Sequence, residues 1–169
     1  MYLVPNTYYE REQMTTLEIA EKVENVIHLA FSMKGEAEGF NLDRAMLVGV
    51  KTDGDKVVDI NPEIASHGDV YQLLDDEDNF AKVASYNVVG LVTCGWAAPL
   101  NSDGELDGPT PASHPQRRRV RLMVCASLDG MASVLRFQDE SDNPISDGGQ
   151  ATGPLAEALQ DFLIRSKNL

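Results

Sequence analysis

A chain of 169 residues suits a single domain able to bury roughly 70% of the surface it exposes when unfolded. With 43% hydrophobic residues it can build a packed core, and with only two cysteines it is not a disulfide scaffold. The formal net charge of −13 repels phosphate backbones and anionic lipid surfaces, which argues against nucleic acid and membranes as partners. No apolar run approaches the ~20 residues that cross a bilayer, and Met1-Tyr2-Leu3-Val4-Pro5 has neither the basic nor the apolar region of a signal peptide. A cytoplasmic protein with two reduced thiols is expected.

Residues 1–14 read as a polar and aromatic lead-in, with Tyr8-Tyr9 its packing part, to one α+β domain over 15–169. Thr15 and Glu18 have capping-box spacing. Ile19, Val23, Val26, Ile27 and Ala30 then recur at helical spacing, and Gly35 supplies a stop, so a helix is expected over about 15–33. Glu24 and His28 fall on its polar side and read as an exposed pair.

Residues 45–60 read as a hairpin about Asp53-Gly54-Asp55. A three-residue loop would set Val50 against Val58 and Val48 against Ile60, with one apolar face. Asn61-Pro62 resembles a helix start, and 62–85 reads as helix broken near His67-Gly68, with Asp69 capping the second piece. The acidic run Asp75-Asp76-Glu77-Asp78 lacks the glycine and terminal glutamate of a calcium loop and reads as a solvated turn.

Val88–Val92 is apolar without alternation, as in a strand covered on both faces. A turn-rich loop follows, and Arg117-Arg118-Arg119 opens a second hairpin about Asp129-Gly130. That turn would pair Leu122 with Phe137, Val124 with Leu135 and Ala126 with Ser133. The other face, with Arg121, Met123, Cys125, Val134 and Arg136, reads as mixed and half covered. Residues 139–150 read as loop, and Gly153-Pro154 starts a final helix. The sum is a mostly antiparallel or mixed five-stranded sheet packed with three to four helices.

Three constellations carry chemistry. Cys94 at the end of a buried strand, with His114 as base, would make a small hydrolase or transferase; otherwise Cys94 is a buried apolar thiol. Cys94, His114 and Cys125 suit zinc chemically, but no C-x-x-C, H-E-x-x-H or His-x-His pairing is present, so no metal and no cofactor is expected. Arg117, Arg119 and Arg121, with Arg118, form a basic island on an acidic chain. With Trp96 as a platform they could hold a small anionic ligand or an acidic protein partner, or mediate homo-oligomerisation. Strand alternation puts Arg118 on the face opposite Arg119 and Arg121. The favoured reading is a binding module using the 96–121 loop, and the alternative is the Cys94–His114 enzyme.

Gly95-Trp96 after a strand resembles the corresponding turn of the metal-dependent isopeptidase domain, and the missing His-x-His pair implies a non-catalytic version. His114–Leu122, Asp129–Phe137, Gly95–Pro99 and Ala151–Leu155 resemble segments of a family of small bacterial proteins that carries no assigned activity. That resemblance implies a bacterial origin and no mechanism.

Overall fold

The computed structural model describes residues 13–35, 37–147 and 153–168. Thr15 caps the first helix, α1 (Thr16–Lys34): its side chain accepts from the Glu18 amide, Glu18 reaches back, and left-handed Gly35 ends the helix. Then come β1 (Ala45–Asp53), β2 (Lys56–His67), α2 (Val70–Asp75), α3 (Asp78–Val83) and β3 (Val88–Ala97). After a long loop follow β4 (Arg118–Ser127), β5 (Gly130–Phe137), the two-residue β6 (Ile145–Ser146) and α4 (Pro154–Lys167). All strand pairs are antiparallel, in the order β2-β1-β3-β4-β5-β6. The fold is therefore α+β, with six strands rather than five among the described residues. β6 is too short to leave a periodic signal.

The sheet is covered on both faces. Ile19, Val23, Ile27 and Phe31 of α1 pack on Met46, Val48, Val92, Met123, Cys125 and Val134. On the other face Leu73, Phe80, Val83, Leu159, Phe162 and Leu163 of α2, α3 and α4 pack on Leu47, Val89, Leu91, Val124 and Ala126. Double coverage explains why Val88–Val92 of β3 reads as a continuous apolar run, and it buries both faces of β1, expected to have one apolar face. No helix among the described residues is long and apolar enough to cross a membrane. Tyr8-Tyr9 and Ala151-Thr152 lie outside the described residues.

Three expectations for the first half are corrected. The first hairpin turns on Gly54-Asp55, with Asp53 opposite Lys56, and a register shift past Thr52 sets Val50 against Ile60 instead of Val58. Val58 is left outward, 58% exposed. The segment 62–67 is strand, not helix. β2 is an edge strand, and Pro62 sits within a second register irregularity, where a missing amide breaks no ladder bond. Asp69 does cap a helix, accepting from Tyr71 and Gln72, but that helix is the short α2.

In the second hairpin the turn is Leu128-Asp129, with Ser127 opposite Gly130. Ser127 Oγ accepts the Asp129 amide and lies 2.8 Å from Thr16 Oγ1, tying the turn to the start of α1. Leu122 therefore faces Leu135, Val124 faces Ser133 and Ala126 faces Met131, a slip of two that leaves every side chain on its expected face. Both faces are covered, however. Met123, on the face expected to be half open, is 1% exposed beneath α1, while on the other face Val124 and Ala126 are buried and Leu122 and Leu135, nearer its margin, are only partly so. Met123→Ala should accordingly cost about 2–5 kcal/mol in urea unfolding, more than Leu122→Ala. The reverse order would show that α1 does not seal this face.

Candidate functional site

Pairing of β3 with β4 sets Cys94 opposite Arg121, Trp96 opposite Arg119 and Ala97 opposite Arg118. Cross-strand partners share a face, so Cys94, Trp96, Arg119 and Arg121 all lie on the α1 side, and Arg118 lies on the other. Gly95-Trp96 is part of β3, not a turn, which removes the feature that resembled the isopeptidase domain.

Arg118 is fully committed on its own side. Its guanidinium takes Asp139 at 2.6–3.2 Å and Glu140 at 3.0 Å, and lies 4.0 Å from the Phe137 ring centroid. The hydrogen bond from Arg118 holds the Asp139 carboxyl below its usual range.

Arg121 is committed inward, 1% exposed. It reaches Glu24 at 3.4 Å, His28 Nδ1 at 2.7 Å and the Glu38 carbonyl, between the rings of Phe31 and Phe40. Arg136 of β5 takes both Glu24 oxygens, at 2.5–3.2 Å, and the Ser141 carbonyl. Glu24 and His28, expected to be an exposed pair, are 2% and 7% exposed. The correction has a physical reason. Two arginines on an apolar sheet face need a carboxylate, and α1 lays that side of itself on them. Val23 and Ile27, which directly precede Glu24 and His28 and are both buried, were the available signal.

Arg119 donates from Nε to the Phe40 carbonyl at 2.6 Å, and its guanidinium carbon lies 4.9 Å from the Trp96 ring centroid. Arg117 lies 5.0 Å from the same centroid and donates to the His114 carbonyl. Trp96 itself is 40% exposed. Neither Arg117 nor Arg119 has a carboxylate partner among the ion pairs of the described residues.

Cys94 and His114 are not brought together by any hydrogen bond among the described residues. The Cys94 thiol donates to the Gly39 carbonyl at 3.2 Å, and burial pushes it above its ordinary value. His114 follows a 3₁₀ turn at Pro111–Ser113; its Nδ1 accepts the Gln116 amide, and its carbonyl accepts the Arg117 amide. The imidazole thus knots the loop end that carries Arg117. Cys125 is fully buried under α1, its thiol pushed up to about 12 by burial. Among the described residues no group of three or more His, Cys, Asp or Glu is placed to hold a metal ion.

The loop between β3 and β4 is ordered by its own side chains. Asn101 accepts the amides of Asp103 and Glu105 and donates to Asp107, an Asx-type arrangement that folds the acidic stretch away as a turn. No family model, curated protein or solved structure matches the chain.

Proposed function

We propose that this protein is a binding module that takes an acidic protein segment on the surface formed by Trp96, Arg117 and Arg119. One observation carries the reading: the only tryptophan of the chain stands partly exposed with two guanidiniums over its ring, and neither guanidinium has a carboxylate partner among the described residues. The other arginines of this hairpin contrast with them, since Arg118, Arg121 and Arg136 are all held by the protein's own carboxylates. Exposed Trp and Arg are the side chains that most often anchor interfaces. Each guanidinium gives one donor to a backbone carbonyl and keeps others that suit a carboxylate, and the ring offers apolar contact between them. On a chain of net charge −13 this island gives an acidic segment one attractive landing place, flanked by a field that repels misplaced contacts.

Trp96 makes the test direct, because its emission reports this one surface. Titration with a glutamate-rich peptide should give a saturable change in emission that weakens as salt rises through physiological strength. Arg117→Ala should weaken the titration about tenfold, a loss of ~1.4 kcal/mol, with little change in melting temperature, since the Arg117 side chain holds only the His114 carbonyl and the partly exposed Trp96 ring. An unchanged titration in Arg117→Ala, or no saturable response in the native protein, would remove the reading.

A further inference from the structure

Glu24, His28, Arg121 and Arg136 form a closed charged knot between α1 and the sheet. Glu24 and His28 stand one turn apart on α1, and Arg121 and Arg136 are cross-strand partners on β4 and β5. One carboxylate serves two guanidiniums, so the knot already holds an excess positive charge. A guanidinium carries only N–H donors, so His28 Nδ1, 2.7 Å from Arg121 Nη2, must accept. The imidazole is therefore neutral here, with its proton on Nε2. The charged and titratable groups acting on it are Glu24 from its own helix, Arg121 and Arg136 from the sheet, and Glu38 from the turn after α1. The Cys94 thiol of β3 is the cross-strand neighbour of Arg121. Phe40 meets the imidazole edge-on at 6.3 Å between ring centroids.

Three consecutive carbonyls of the segment after α1 are held by the sheet. Arg121 donates to Glu38, Cys94 to Gly39 and Arg119 to Phe40. Ala37 and Glu38 sit at φ 41° and 54°, a left-handed conformation that non-glycine residues rarely adopt. These clamps therefore hold a segment that the backbone alone would not choose. α1, by contrast, is fixed by Ile19, Val23, Ile27 and Phe31 in the core.

We propose that His28 makes the 37–40 segment an acid-released latch over Cys94. A proton on Nδ1 removes the acceptor of Arg121 and sets a third cation around a single carboxylate. Arg121 then turns from the Glu38 carbonyl, the weakly favoured backbone relaxes, and the Gly39 carbonyl leaves the thiol. Burial first, and then Arg136 and Arg121, hold His28 below its ordinary 6.5. The folded state thus binds fewer protons than the unfolded chain in this range. The stability contributed is complete above pH 6.5 and is lost as pH falls below it through the folded value, so the latch opens on that acid side. This inference does not rest on the binding role proposed for Trp96, although Arg119 joins the two places by holding the Phe40 carbonyl.

The test uses the full chain and a pyridyl disulfide, which labels thiols in mild acid. Labelled cysteines are located by mass spectrometry from neutral pH down to about pH 5. Cys125, fully buried, reports global unfolding, so labelling of Cys94 alone reports the latch. Labelling of Cys94 should rise about tenfold below pH 6.5 with Cys125 silent, against the fall in thiolate that acid imposes on any freely exposed thiol. His28→Gln keeps an oxygen that can accept from Arg121 but cannot be protonated, and should abolish the rise, while His67→Gln should keep it. A flat Cys94 profile, a joint rise of both cysteines, or a rise that survives His28→Gln overturns the proposal. Should His28→Gln not fold, the imidazole signals of His28 in the native protein replace it: their midpoint must match that of Cys94 labelling, and separate midpoints overturn it.

Discussion

Glu24→Ala should lower the unfolding free energy by about 3–5 kcal/mol, read as a fall in the urea midpoint at unchanged slope. The side chain is 2% exposed and is the only carboxylate paired with Arg121 or Arg136 among the described residues. Removing it leaves two guanidiniums beneath α1 with no counter-charge, a cost set by desolvation more than by the lost ion pairs. The same reasoning sets the control. Replacing Glu24, Arg121 and Arg136 together by Leu, Met and Met keeps the volume apolar and should cost far less than the single change, because no charge is stranded. A single variant that loses under about 1 kcal/mol would mean that water reaches the knot and that α1 is not sealed on the sheet. The asymmetry also bears on specificity. An apolar α1 could settle on the sheet in several rotations, whereas one carboxylate between two fixed arginines admits a single one.

Local chemistry made the helix ends readable. The Thr15 and Glu18 box, Gly35, Asp69 and Gly153-Pro154 each act within a few residues of themselves, and each sits where its own hydrogen bonding or φ requires. The strand faces of the second hairpin were readable too, since alternation survives a slip of two, whereas Val58 in the first was expected inward and lies outward. Registers were not. Ser127 Oγ supplied a bond that moved the turn off Asp129-Gly130, and the irregularities of β2 admitted Val58 and Pro62, which a regular ladder would refuse. The site was legible as a set of residue types and not as an arrangement. Arg118 and Arg121 look alike in sequence, yet Asp139 and Glu140 take one and Glu24 the other, from segments 21 and 97 residues away. What remained was Arg117 and Arg119, distinguished only by what does not reach them.

Phe40→Ala should be as damaging as the loss of Glu24, about 3–5 kcal/mol, although Phe40 lies outside every strand and α-helix. Its side chain is fully buried, meets His28 edge-on and lies 4.7 Å from the Arg121 guanidinium carbon. Truncation opens a cavity against a buried cation, and Arg121 loses one of its two aromatic neighbours together with the exclusion of water that keeps its pairing with Glu24 strong. The consequence should reach the surface as well. Arg119 holds the Phe40 carbonyl with the same guanidinium that lies over Trp96, so a released segment frees Arg119 and alters Trp96 emission in the folded protein. Leu163→Ala, on the opposite face of the sheet, is the matched comparison: it should lower stability by about 2–5 kcal/mol and leave Trp96 emission unchanged. Equal emission changes in both variants would show that Trp96 reports general loosening. A Phe40→Ala protein with native emission and a loss under about 1 kcal/mol would show that the 37–40 segment is not packed between α1 and the arginines of β4.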